Sequence, residues 1–231
     1  MPLRIAGLLK TSAVDYPKNI CSTIFTAGCN FRCPYCHNPE LVNVPEDLET
    51  VSEQEVLEHL ENRKDILDGL CITGGEPLIF DLRKFLQKVK DLELKVKLDT
   101  NGTNPERLKE LNDAELVDYI AMDIKAPLEK YSEAVNTKVD TDKIKKSIGI
   151  IRNSGLDYEF RTTVVPSFTD ESDLIEIGKL LEGSKKYAIQ QFKPTKAVDE
   201  KVLKIEPYTK EKLKEFKKKL EKYFEEVELR V

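Results

Sequence analysis

The chain has 231 residues, 34% of them charged and 40% hydrophobic, with a formal net charge of −5. That composition excludes a disordered or membrane-embedded protein, and the acidic balance gives no general attraction for nucleic acid. No apolar run approaches the length of a membrane span, and MPLRIAGLLK at the start lacks the apolar core and cleavage site of a leader, so the expected setting is the cytoplasm.

The first strand is expected over about residues 20–27, running into GCNFRCPYCHNPE at 28–40, where Cys29, Cys33 and Cys36 fall within eight positions. Ser52 and Glu55 form a capping box before the periodic Val56, Leu57 and Leu60, which predicts the first long helix. Strand GLCIT ends in GGEP at 74–77, and the helix over 81–92 places Leu82, Phe85, Leu86 and Val89 on one face. His59, on the charged first helix, reads as a surface residue. The third strand, LKVKLD, ends in Thr100, Asn101 and Gly102, after which Asn104 and Pro105 supply a cap and a first-turn proline. A fourth strand covers 117–125, a helix closes near Gly155, and YEFRTTVVP is the fifth strand. Asp170 or Ser172 caps the next helix, and YAIQQF is the sixth strand. In the lysine-rich C-terminal run, Leu213, Phe216, Leu220 and Tyr223/Phe224 recur at helical spacing, so its charges form the solvated face of a docked helix before a last short strand, VELRV.

Strands alternating with amphipathic helices predict an α/β fold with a parallel sheet. Six successive units are too few for a closed eight-stranded barrel, so the expectation is an open partial TIM barrel, (β/α)6. One domain over 1–231 is expected, with its core at about 20–194 and the helix and short strand at 208–231. Chemistry in such sheets collects at the carboxyl ends of the strands. The cysteine loop, GGEP, DTNG, DIK and KPTK all fall there, so five individually weak motifs converge on one rim.

In a reducing compartment clustered thiols argue for metal or redox chemistry rather than disulfides. Three cysteines on one loop can hold three irons of a [4Fe–4S] cluster and leave the fourth iron open to a ligand. The rival is zinc held by the same cysteines and His37, although adjacent residues seldom aim both side chains at one ion and C-x3-C-x2-C departs from paired C-x2-C knuckles. Cys21 and Cys71 stand in apolar strands and read as small buried hydrophobes. Arg161, in the otherwise uncharged FRTTVVP, needs an anion, because an unpaired buried guanidinium would be costly.

CNFRCPYC, with Tyr35 as the aromatic before the third cysteine, together with GGEP, resembles the two leading motifs of the radical S-adenosylmethionine (SAM) superfamily. The resemblance covers nearly the whole chain. It implies a [4Fe–4S] cluster on Cys29, Cys33 and Cys36, SAM chelated to the free iron, and a 5'-deoxyadenosyl radical that abstracts a hydrogen atom. TSAVDYP at 11–17, GCNFRCPYCHNPEL, GGEPL, LDTNG, MDIK and FRTTVVPSFTD further resemble the activating enzymes of glycyl radical enzymes, most of all the short type that activates anaerobic ribonucleotide reductase. The implied partners are a glycyl radical enzyme and a reducing donor such as flavodoxin or ferredoxin, with no nucleic acid and no membrane. Two departures stand out: Lys18 occupies a position where glycine is expected after DYP, and the eight extra cysteines of longer relatives are missing, which implies a single cluster.

The resemblance assigns cofactor contacts to Tyr35, His37, Gly74, Gly75, Glu76, Asp99, Asn101, Asp123, Lys125 and Arg161, and no separate catalytic side chain. In physical terms a GG pair lets backbone approach a ligand, and Glu76 can accept from the SAM ammonium. The anion of Arg161 is then either a neighbouring acid or the SAM carboxylate. A monovalent cation is implied beside Asp99, Thr100, the Ala121 carbonyl and Asp123. Gln190 or Gln191 is a further polar contact for adenosine. The alternatives are a small-molecule enzyme resembling 7-carboxy-7-deazaguanine synthase, against which His37-Asn38-Pro39 speaks, and a zinc-stabilised binding module.

Overall fold

In the computed structural model, which describes all 231 residues, the strands are β1 (Ile5–Ser12), β2 (Cys21–Thr26), β3 (Gly69–Gly74), β4 (Lys95–Thr100), β5 (Tyr119–Asp123), β6 (Asp157–Val164), β7 (Ser184–Gln191) and β8 (Phe224–Arg230). They form one sheet in sequence order, with β1 antiparallel to β2 and the other seven strands parallel. The edge strands β1 and β8 do not pair with each other, so the sheet is open, as six successive units require. β2 to β7 are the six expected strands. β8 is the expected last strand, whereas β1 is an addition to the sequence reading. Its residues show no period of two: Leu9 is 44% exposed while Ser12 is buried.

The helices are α1 (Pro39–Val42), α2 (Glu53–Glu61), α3 (Arg83–Asp91), α4 (Pro105–Asp113), α5 (Tyr131–Ala134), α6 (Thr141–Arg152), α7 (Glu171–Leu180) and α8 (Lys210–Leu220). Ser52 and Glu55 make both bonds of their capping box at the start of α2. Asp170, rather than Ser172, caps α7, and Asn104 caps α4 ahead of Pro105. These caps satisfy first-turn amides and set where each helix leaves its loop. Leu213, Phe216 and Leu220 of α8 are all buried, which docks the lysine-rich helix by its apolar face. His59 is not a free surface residue: its Nε2 lies 3.1 Å from both Ser22 Oγ and the Lys10 carbonyl, tying α2 to β1 and β2.

One continuous apolar cluster fills the space between sheet and helices. A second small cluster joins Cys21, Cys71, Tyr16, Tyr119 and Ala121, and there the two isolated cysteines are buried as small hydrophobes. The neighbouring cavity of about 390 Å3 is charged instead, lined by Lys97, Asp99, Glu159, Arg161, Lys186, Glu228 and Arg230 among others. Buried charge survives there because it is paired: Glu159, 1% exposed, accepts from Arg230 through two bonds of 2.8 and 2.6 Å.

Candidate active site

The carboxyl end of β2 passes into the cysteine loop through Gly28, whose φ of +126° is open to glycine and strained for other residues. The GGEP turn follows β3 directly alongside. Gly75 N–H donates to the Thr26 carbonyl at 2.9 Å and Glu76 N–H to the Gly28 carbonyl at 2.8 Å. A Cβ on Gly75 would stand 1.9 Å from that Gly28 oxygen. The neighbouring loop's own backbone therefore demands glycine here, while Gly74 and Gly75 still line the cleft. The loop is braced elsewhere too: Arg32 donates to the carbonyls of Cys29 and Phe31, and Asn30 links to Asn101 and Thr103.

All thirteen residues singled out for cluster or SAM line a single cleft of about 200 Å3. Phe31, Asn38, Val42, Thr73, Pro77, Thr100 and Thr163 complete its wall. Cys33 is buried and Cys29 and Cys36 are partly so. Burial pushes the Cys29 thiol up to about 11 and the Cys33 thiol to about 12, so a metal ion bound by them would displace their protons. The Phe31 amide already points at Cys29 Sγ, 3.4 Å away, the kind of donor that stabilises a ligating thiolate.

A [4Fe–4S] cluster fits this set better than zinc does. His37, the proposed fourth zinc ligand, packs its ring against Phe192 at 5.9 Å. A cluster carries its irons to separate thiols and needs no fourth protein ligand. Tyr35 is buried against Phe168 with its hydroxyl unpaired, a donor left for something the cleft receives.

Glu76 is 1% exposed and accepts from Leu78 N–H at 3.0 Å, the Thr100 hydroxyl at 2.7 Å and Asn101 N–H at 2.6 Å. It thereby locks the end of β3 to the end of β4. Complete burial pushes its carboxyl up to about 7, and these three donors pull the other way.

Beside it runs a ladder of charge. Arg161 donates from Nε to Asp123 at 2.8 Å and from Nη1 to Asp99 at 3.1 Å, so the neighbouring acids are its anions. Lys125 bonds the other Asp123 oxygen at 3.1 Å, and Lys97 holds the other Asp99 oxygen. Burial would raise both aspartates, but Arg161 with Lys125 or Lys97 outweighs it and holds each below the usual carboxylate range. Three cations against two carboxylates leave one positive charge in excess.

Lys97 is the member that sequence reasoning missed. The signal was present, because two residues before Asp99 on a strand is the same face. The two glutamines separate on the same rule: Gln190 lines the charged cavity, while Gln191 bonds the Tyr208 carbonyl at 2.7 Å and lines neither cavity.

Residues 23–180 match the profile of the Radical SAM superfamily. Among curated proteins the chain is 36% identical, over all of its length and 97% of the relative's, to a Methanocaldococcus jannaschii protein provisionally named a glycyl-radical enzyme activating enzyme. It is 27% identical, over 97% of its length and 98% of the relative's, to a pyruvate formate-lyase-activating enzyme of Clostridium pasteurianum. Among solved structures it superposes on Streptococcus suis SuiB bound to S-adenosylmethionine with a TM-score of 0.68 and 16% identity, covering 88% of this chain and 48% of that one. QueE from Escherichia coli superposes with a TM-score of 0.53 at 15% identity, covering 81% of this chain and 83% of that one. The chain thus spans about half the length of the first of these structures, and at such identities the likeness is one of fold.

Proposed function

The chain belongs to the radical SAM superfamily and is an enzyme of that chemistry, and from that premise we propose that it activates a glycyl radical enzyme, namely an anaerobic ribonucleotide reductase. Cys29, Cys33 and Cys36 hold one [4Fe–4S] cluster, and the cleft beyond them receives SAM. Cluster and SAM together supply a carbon-centred radical able to take a hydrogen atom from a glycine Cα. The chain's own residues bind, orient and exclude water. Glu76 accepts from the methionine ammonium with the lone-pair capacity its three donors leave, beside the backbone of Gly74 and Gly75. Lys125 and Arg161 present the excess positive charge to the methionine carboxylate, while Asp99 and Asp123 hold the guanidinium in place. Tyr35, His37 and Asn101 flank the remainder of the ligand, and Phe31 and Val42 keep water out. No side chain acts as acid or base, because hydrogen-atom transfer moves proton and electron together.

A monovalent cation beside Asp99, Thr100 and Asp123 does not fit this set, since every oxygen of both carboxylates is already paired with an ammonium or guanidinium. The substrate glycine belongs to another protein's backbone, so it enters the mouth of the cleft as an extended loop. A reduced flavodoxin or ferredoxin supplies the electron. The whole of 1–231 acts as one cytoplasmic domain; no helix is long and apolar enough to cross a membrane.

The observation that carries this reading is that the three-cysteine loop opens onto the same cleft as the polar ends of β3, β4, β5 and β6. Mixing the reduced, reconstituted enzyme anaerobically with SAM and purified reductase is expected to raise a glycyl radical doublet in the EPR spectrum. Silence with the reductase and every other glycyl radical enzyme of the source organism would overturn it.

A further inference from the structure

We propose that Lys97 is a built-in cation that takes the place of a bound monovalent metal ion at Asp99, so that this site binds SAM without one. The proposal rests on the reading of the cleft as the SAM site. Its geometry is on adjacent strands. β4 and β5 pair Asp99 with Ala121 and Thr100 with Met122, and β5 and β6 pair Asp123 with Arg161, which gathers the oxygen donors suited to a metal ion. Yet the Asp99 oxygen not bound by Arg161 is held by the Lys97 ammonium, which reaches it from the charged cavity behind the cleft. Lys97 is 3% exposed, and besides Asp99 its ammonium meets only Cys71 Sγ, at 3.7 Å. A desolvated ammonium is about the size of a potassium ion and carries the same charge, but it is tethered to β4 and so costs no binding event.

Lys97 lines neither the cleft nor the three-cysteine loop, so it is a positioning residue. It neutralises Asp99 from behind, and Asp99, with an additional bond of 3.1 Å from the Thr73 hydroxyl, fixes Arg161 from in front. Without the ammonium one Asp99 oxygen is buried and unpaired. The carboxylate then turns toward whatever cation it can find, and the guanidinium loses its fixed partner.

The test compares full-length wild type and K97M in buffers of equal ionic strength containing potassium, ammonium or choline, the last too large to enter. SAM affinity is read by equilibrium binding to the cluster-loaded protein, and melting temperature is read on the metal-free protein, which needs neither cluster nor SAM. Wild type is expected to give the same SAM affinity and melting temperature in all three. K97M is expected to bind SAM about tenfold more weakly in choline and to recover most of that loss, with a parallel rise in melting temperature, in potassium or ammonium. A wild-type requirement for potassium, a K97M protein that binds like wild type in choline, or a loss that no small cation repairs would each overturn the proposal. If K97M does not fold, the wild-type cation series decides alone. Failure of wild type to bind SAM in any buffer would strike the reading of the cleft instead, and the melting series would still decide the role of Lys97.

Discussion

At the scale of single residues, Glu76 shows how burial and hydrogen bonding compete. Its carboxyl stands at about 7 in the folded protein against 4.5 for the free side chain, because total burial outweighs three donors. A folded value above the unfolded one means that the folded state holds the proton more tightly. Its contribution to stability is therefore complete below the unfolded value and is lost as pH rises through about 7, a loss of about 3 kcal/mol. Glu76→Gln is expected to remove that decline from urea-melt stabilities measured across the same window. It should also lower stability throughout, since an amide nitrogen would face the Asn101 amide; an unchanged pH slope in the variant would contradict the assignment. Asp99 and Asp123 act in the opposite sense, being held low by Arg161, Lys97 and Lys125, so their contribution disappears only on the acid side. Lys18 illustrates a different constraint. Its φ of +62° lies in the left-handed region, which explains why glycine is the expected residue after DYP.

Among the elements, β8 is the one whose purpose lies in the interior rather than at the rim. It covers the edge of β7 and brings Arg230 to the buried Glu159 of β6. Arg230→Met would leave that carboxylate without its counter-ion, at a cost of about 3 kcal/mol in urea-melt stability. Adding Glu159→Gln should recover much of the loss, and a single-variant cost near zero would show that the pair is not what holds β8 in place. Helices and strands of this chain were legible one at a time wherever caps and periodicity are local, as at Ser52, Asn104 and Asp170. β1 was not legible, because an edge strand with half-buried residues on both faces carries no alternation to read.

For the whole molecule, seven parallel strands send their carboxyl ends to the same side of the sheet, and only that common direction unites loops far apart in sequence. The cysteine loop and GGEP could be placed on one rim from sequence because each directly follows a strand. Their pairings could not: Arg161 meets Asp99 across 62 positions and Asp123 across 38, and nothing local to FRTTVVP says which acids it meets. The same limit hid what crowds the two glycines, which is the backbone of Thr26 at the end of β2 against Gly74 and the Gly28 carbonyl of the following loop against Gly75. The most direct test of the account is EPR spectroscopy of the anaerobically reconstituted, reduced protein with and without SAM. A [4Fe–4S]+ signal that SAM reshapes, accompanied by 5'-deoxyadenosine and abolished by Cys33→Ala, is the predicted result. Stoichiometric zinc with no cluster, or SAM cleavage that survives Cys33→Ala, would contradict it.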